Sequence, residues 1–277
     1  MKSDFLSHSG MSIESKPRNP QHVEEYSSEI INFLLSNQNK NQMKFRKIEN
    51  LQNDITEKMR SILVDWLIDV HAKFKLRDET LFLTINLIDR FIAKHQISKQ
   101  KLQLVGVSSM LIACKYEEIY APEVKDFVYV TDNAYSRDEV MRMEALILEE
   151  LGFSLFIQSP KLFLERFLYE THFSEKAKML SRYVLELSLL DFNSGKHSPL
   201  MLAAGSVYLA AKLFKENNPW PSTLADISSL EETEVRPAAK ELCMQLQNAD
   251  KCAYQSVKRK FSSSKYLSIS KVQLEKK

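Results

Sequence analysis

Seven residues, SMLIACK at 109–115, come back 97 positions later as SVYLAAK at 206–212, and the same ungapped step sets Pro122 on Pro219 and Glu144 on Glu241. One such coincidence is noise. Three in a single register mark duplication of a unit of about 100 residues. The chain must therefore fold into something that can be built twice, and 277 residues leave room for two such units. The seam falls near LGFSLFIQSP (151–160), where Gly152 closes one helical pattern and Ser159-Pro160 opens the next.

The units read as helices. From Asp54 to Leu190 apolar residues recur at helical spacing, with start signals at Asp54 with Glu57, at Asp78, at Ser136 with Glu139, and at the Ser159-Pro160 and Ser198-Pro199 pairs. No alternating stretch is long enough for a sheet; FVYVT (127–131) is the one strand-like run, and its flanks are helical. MRSILVDWLIDVHAKFKL (59–76) sets Met59, Ile62, Leu63, Trp66, Leu67, Val70 and Phe74 on one broad face, with Val64 and Ile68 nearly opposite. Other helices must surround such a helix. Met59 and Trp66 are core by default, yet the apolar surface at its start is also available to a partner. Upstream, HVEEYSSEIINFLLSN (22–37) spaces Val23, Tyr26, Ile30, Phe33 and Leu34 as an isolated amphipathic helix, which must dock on its own domain or on a partner. Residues 1–20 are polar, carry Pro17 and Pro20, and are expected to be disordered.

Composition removes several function classes. The five glycines, at 10, 106, 152, 195 and 205, cannot form a GxGxxG turn, a phosphate-binding loop or a GxSxG elbow. Three widely spaced cysteines without a CxxC read as buried thiols in a reducing compartment, and six histidines without an HxxxH pair give no metal site. No cofactor is expected. A net charge of +2 is far from that of a dedicated nucleic-acid binder. Without an apolar run of membrane-spanning length or a basic-then-apolar leader, the expectation is a soluble intracellular protein that is not an enzyme.

The informative residues are charges on apolar faces. Lys115 follows Leu104 and Leu111 on one stripe, and Glu144 lies among Val140, Leu148 and Leu151. Three readings fit: each charge snorkels from a core-facing stripe, the two form a structural ion pair, or they mark a partner surface where apolar area and opposite charges fix register. Arg60 and Asp89, on otherwise apolar helices, read as a buried structural pair. The run VKRKFSSSK (257–265) reads as a solvated basic tail, with an import or phosphate-binding element as the other possibility.

Five stretches carry a resemblance: DITEKMRSILVDWL, LIDRF, KLQLVGVSSMLIACKYEEIYAPE, DFVYVTDNAYSRDEVMRMEALILEELGF and SLLDF. Together they resemble the mitotic cyclins of the A/B group, from about Val23 to Ser270. KYEE, VTDNAY and KRKFSSSKYLSIS are closer to the B type. The resemblance implies an all-α protein: two tandem five-helix cyclin folds (54–157 and 158–262) after an N-terminal helix and linker (21–53), with a tail at 263–277. It implies a regulatory subunit that binds and allosterically activates a cyclin-dependent kinase, forming a heterodimer that controls G2/M progression in nucleus and cytoplasm. Lys115, Glu144, Leu111, Tyr116, Phe153, Leu155, Tyr26 and Ile30 would meet the kinase. Met59, Ile62, Leu63, Trp66, Leu102 and Gln103 would form a docking patch for substrates and inhibitors bearing Arg-x-Leu (RxL) motifs. Asp69 would favour the motif's basic residue, with Lys73 opposing it. Arg60 and Asp89 match the family's buried pair, while Lys212 and Glu241 echo the first repeat's pair without a kinase role. Mitotic cyclins carry an RxxL destruction box near the N-terminus, but residues 1–53 contain none; the chain is either truncated or turned over differently. KENN (215–218) resembles a degron by coincidence. The same doubled fold would also serve a nucleic-acid-binding transcription factor or an adaptor that activates no kinase.

Overall fold

A computed structural model describes residues 24–37, 48–50 and 52–272. Among these, twelve α-helices and several short 3-10 turns account for the regular structure. Helix α1 (Ser27–Asn37) precedes a first unit made of α2 (Glu57–Phe74), α3 (Asp78–Ile92), α4 (Leu102–Glu117), α5 (Val124–Val130) and α6 (Arg137–Glu150). The second unit is α7 (Pro160–Glu170), α8 (Glu175–Leu187), α9 (Pro199–Leu213), α10 (Ser222–Ser228) and α11 (Glu232–Asn248), and α12 (Ser256–Lys260) closes the chain. The 97-residue step that aligns the sequences also carries the first residue of α3, Asp78, onto that of α8, Glu175. It carries Leu102, which opens α4, onto Pro199, which opens α9. The repeat is thus one of architecture.

In each unit the helix that is apolar all round lies at the centre, as such a helix must. Every residue of α4 from Leu104 to Cys114 is buried, between α3 on one side and α6 on the other. Helix α9 holds the same place among α7, α8 and α11. Small residues set the close crossings. A Cβ on Gly205 would come within 3.1 Å of the Ala239 amide nitrogen, and one on Gly106 within 2.7 Å of Leu63 Cδ1. Ser136 and Glu139 form the expected capping box on α6, and Ser159 and Ser198 cap α7 and α9, each followed by proline.

Two local expectations are corrected. Thr56, not Asp54, caps α2, with Oγ1 accepting from the Met59 amide at 3.3 Å, while Asp54 accepts from the Lys99 amide at 2.9 Å. Asp78 is the first residue of α3 but does not cap it; its carboxylate serves ion pairs instead. FVYVT follows its helical flanks, as expected, and lies largely in α5, started by a Glu123–Asp126 capping box. The expected disorder of residues 1–20 lies outside the described residues.

The larger correction concerns the C-terminus. VKRKFSSSK is not a solvated tail, because each of its first three cations holds an acid: Lys258 with Asp250, Arg259 with Asp69 and Lys260 with Glu186, each at 2.7 Å. The segment returns to the first unit along α2, where Ser256 donates to Asp65 and the Tyr254 hydroxyl reaches the Lys58 carbonyl. Residues 263–272, expected as tail, continue the packing: Ile269 is buried and the Tyr266 ring lies 4.7 Å from that of Phe261.

These contacts complete a chain of alternating charges between the units. Arg182 forks onto Glu165 (2.8 and 2.7 Å), Lys161 joins Glu165 to Asp78 (2.8 and 3.2 Å), and Lys260 joins Asp78 to Glu186 (3.1 and 2.7 Å). Burial alone would raise the Asp78 and Glu165 carboxyls, but their cations outweigh it. Lys260 and Lys161 hold Asp78 well below the usual carboxylate range, and Arg182 and Lys161 bring Glu165 down to about 2.

Close to this network, His71 is buried on α2 with Nε2 2.9 Å from the Arg77 carbonyl and Nδ1 unpartnered. Burial, helped by Lys260, lowers its pKa to about 4. Below the ordinary value of about 6.5 the unfolded chain takes up a proton that the folded chain refuses, so stability is lost as pH falls from there toward 4. Between pH 6.5 and 5 the loss from this group should be about 2 kcal/mol. Urea denaturation across that range should show the slope in the wild type and a flatter one in His71→Gln.

Candidate interaction surfaces

Lys115 lies in the last turn of α4 and Glu144 midway along α6, and the crossing of these helices brings Lys115 Nζ to 2.6 Å from Glu144 Oε1. The pair is neither deeply buried nor free: the Lys115 side chain is 50% exposed and that of Glu144 13%. Of the three open readings, the structure makes the ion pair and leaves one of its members facing outward. Leu111, one turn before Lys115 on α4, is fully buried in this chain. Tyr116, the next residue after Lys115, is about half exposed.

Helix α6 ends in two consecutive left-handed residues, Gly152 (φ 59°) and Phe153 (φ 54°). The Phe153 amide closes the helix by donating to the Leu148 carbonyl at 2.9 Å. The left-handed region is unfavourable for a side chain as large as phenylalanine, yet it directs the chain so that the Phe153 ring is 71% exposed. Leu155 is half-buried behind it. Helix α1 turns Ile31 and Leu34 inward and leaves Ile30 and Phe33 exposed, with Tyr26 exposed in the 3-10 turn just before it. An apolar groove runs from these three to Phe156 and Leu162, with the Phe33 and Phe156 rings 5.9 Å apart. One apolar face of this helix docks on its own protein and the other is exposed.

The second surface lies along α2. Ile62 is half exposed, and Met59, Trp66 and Gln103 are half-buried, while Leu63 and Leu102 are buried and form the floor. Asp69, one turn beyond Trp66, is exposed but already engaged by Arg259. Lys73 lies over the Tyr129 ring at 5.0 Å.

Arg60 belongs to neither surface. It is 3% exposed and forks onto Asp89 through Nε and Nη2 at 2.6 and 2.7 Å. Nη1 donates across to the Leu189 carbonyl of the second unit at 2.9 Å. Lys212 and Glu241 do not repeat the Lys115–Glu144 pair. Glu241 holds Lys196 and His197, each at 2.9 Å, and Lys212 lies over the Tyr208 ring at 5.5 Å.

Two family models match the chain, the cyclin N-terminal domain over residues 29–156 and the cyclin C-terminal domain over residues 159–275. The chain belongs to the cyclin family. It is 39% identical over 260 residues to Cyclin-A2-1 of Oryza sativa subsp. japonica, covering 92% of this chain and 53% of that one. It is 38% identical over 254 residues to G2/mitotic-specific cyclin-B of Marthasterias glacialis, covering 92% and 65%. This cyclin thus spans between half and two thirds of the length of these curated relatives. A solved viral cyclin from herpesvirus saimiri shares the fold, with a TM-score of 0.69 at 22% identity over 79% of this chain and 96% of that one.

Sequence reading missed several exposed residues of this cyclin. Phe33, placed on the stripe with Tyr26 and Ile30, was not counted among the contact residues. Phe156, and the almost fully exposed Ile119 and Tyr120 between α4 and α5, lie outside any helical period. Arg259 carried no signal, because its partner is 190 residues away. At Phe153 the left-handed backbone makes a direct test possible. Phe153→Gly should stabilise the isolated cyclin by about 0.5–1 kcal/mol by relieving that conformation, read as a higher melting midpoint. A lower midpoint would mean that the ring contributes packing this geometry does not reveal.

Proposed function

We propose that this cyclin is a non-enzymatic regulatory subunit that binds and allosterically activates a cyclin-dependent kinase, recruits RxL-bearing substrates and inhibitors along α2, and controls G2/M progression in nucleus and cytoplasm. The observation that carries the reading is the preformed Lys115–Glu144 pair on a half-exposed face of a unit that also exposes Tyr116 and Phe153. Exposed apolar patches rimmed by charge mark interaction sites. A lysine with three donors, only one of them meeting Glu144 here, can also hold a partner's backbone carbonyls. Tyr26, Ile30 and Phe33 add a second apolar contact from α1 and the turn before it.

Activation requires a difference in affinity between two kinase states. Moving a kinase's regulatory helix from about 1% to about 99% inward needs ~5.5 kcal/mol of differential binding. At ~25 cal/mol per Å2 this is about 220 Å2 of apolar surface covered only in the active state. That is roughly one large aromatic side chain's worth of surface. Drawn inward, the helix completes the kinase's Lys–Glu ion pair, and catalysis follows on the kinase alone. Against a nucleic-acid-binding role stand the ion pairs that neutralise VKRK, because phosphate binding would have to break them.

The test is a pull-down and histone-peptide kinase assay with a purified monomeric mitotic cyclin-dependent kinase. Wild type should bind and activate, whereas Lys115→Ala with Glu144→Ala should lose activation by at least about tenfold, as expected when a desolvated interface loses charge-assisted hydrogen bonds, with an unchanged melting midpoint. Normal activation by the double variant would refute the surface assignment. Trp66→Ala should spare a short peptide substrate and impair an RxL-bearing protein; equal loss on both would give Trp66 a core role only.

A further inference from the structure

The polar end of the α2 surface is engaged by the chain itself. Ile62, Trp66 and Asp69 follow one another at helical spacing, so the Asp69 carboxylate lies one turn beyond Trp66 on the same face of α2. Both oxygens of that carboxylate accept from Arg259 Nη2, at 2.9 and 2.7 Å. Arg259 is held there by its neighbours and not by its own burial. Three residues before it, Ser256 donates to Asp65 through its amide at 2.9 Å and through its hydroxyl. One residue after it, Lys260 is 6% exposed between Asp78 and Glu186. Helix α12 is thus anchored on both sides, while Arg259 and Asp69 are 62% and 49% exposed.

We infer that Arg259 is a specificity-determining residue of the docking surface: an in-chain stand-in for the basic residue of a docking peptide, which cancels the attraction of Asp69 and leaves peptides to be ranked by their apolar side chains. The inference rests on the docking reading given above. An arriving arginine must displace a guanidinium that α12 keeps close by, so it exchanges one ion pair for another and gains little. An arriving apolar residue loses nothing by the presence of Arg259. Lys73 does not replace this role, because its ammonium lies over the Tyr129 ring. Since the pair is solvent-exposed, exchange is easy and its effect is screened by salt.

The experiment measures binding of two short fluorescein-labelled peptides by anisotropy, one carrying Arg-x-Leu and the other identical but for alanine in place of arginine. On the full wild-type chain the two should bind with affinities within about twofold. In Arg259→Ala the arginine peptide should tighten by about two- to fivefold, the range spanned by one exposed ion pair, while the alanine peptide is unchanged. Adding Asp69→Asn should remove the gain, and high salt should shrink it. Arg259→Gln, which keeps the stem of the side chain, serves as the second variant should the alanine form not fold. A wild type that already strongly prefers the arginine peptide, with that preference unchanged on removing Arg259, overturns the inference. Failure of the docking reading looks different: both peptides bind weakly and equally to wild type and to Trp66→Ala, and the inference falls with it.

Discussion

Arg60 ties α2 both to α3 and to the second unit. A guanidinium with almost no access to water is tolerable only when its donors are matched. Two meet Asp89 of α3 and a third meets the Leu189 carbonyl of the second unit, with the Phe192 ring 5.3 Å from the guanidinium carbon. Satisfying that fork sets the rotation of α2 about its axis. Because Arg60 points inward, Ile62 is carried outward, and Ser61 is placed to donate to the Leu190 carbonyl at 2.7 Å. The bond that joins the two units therefore also determines which apolar residues of α2 are on offer.

The helices, their duplication and the matching of acid with base inside one unit were legible in the sequence because each is written in short-range spacing. Lys115 and Glu144 stood out as charges on apolar stripes, and Arg60 and Asp89 likewise. Depth was not legible. Leu111, Leu63 and Leu102 share stripes with exposed residues, and only the packing of α4 against its neighbours shows that they lie beneath the surface. Nor was the cap of α2, since Asp54 and Thr56 are both good capping residues and Asp54 is drawn off by the Lys99 amide. The C-terminal basic run was misread for a related reason. Its acids, Asp69 on α2 and Glu186 on α8, are remote in sequence, and local charge reveals nothing about distant partners.

The two units also show how a duplicated scaffold diverges. The central helices kept their register, but Glu241 turned to Lys196 and His197, and Gly205 admits α11 so closely that the Ala239 backbone nitrogen would meet a Cβ there. Of the two units, only the first pairs an acid of its last helix with the lysine in the last turn of its central helix, leaving that lysine in solvent. The second uses the equivalent acid to hold residues that precede α9.

The clasp formed by α12 has a consequence for synthesis. The amide that caps Asp65 belongs to a residue 191 positions later in the chain. At about 5–20 residues per second this interval lasts roughly 10–40 seconds. During that time the first unit has emerged with Asp65, Asp69 and Asp78 uncovered, and His71 lacks the lysine that later crowds it. Through that window the nascent unit is more acidic and more open along α2 than the finished protein, and a binder of α2 could reach it before the chain's own end arrives.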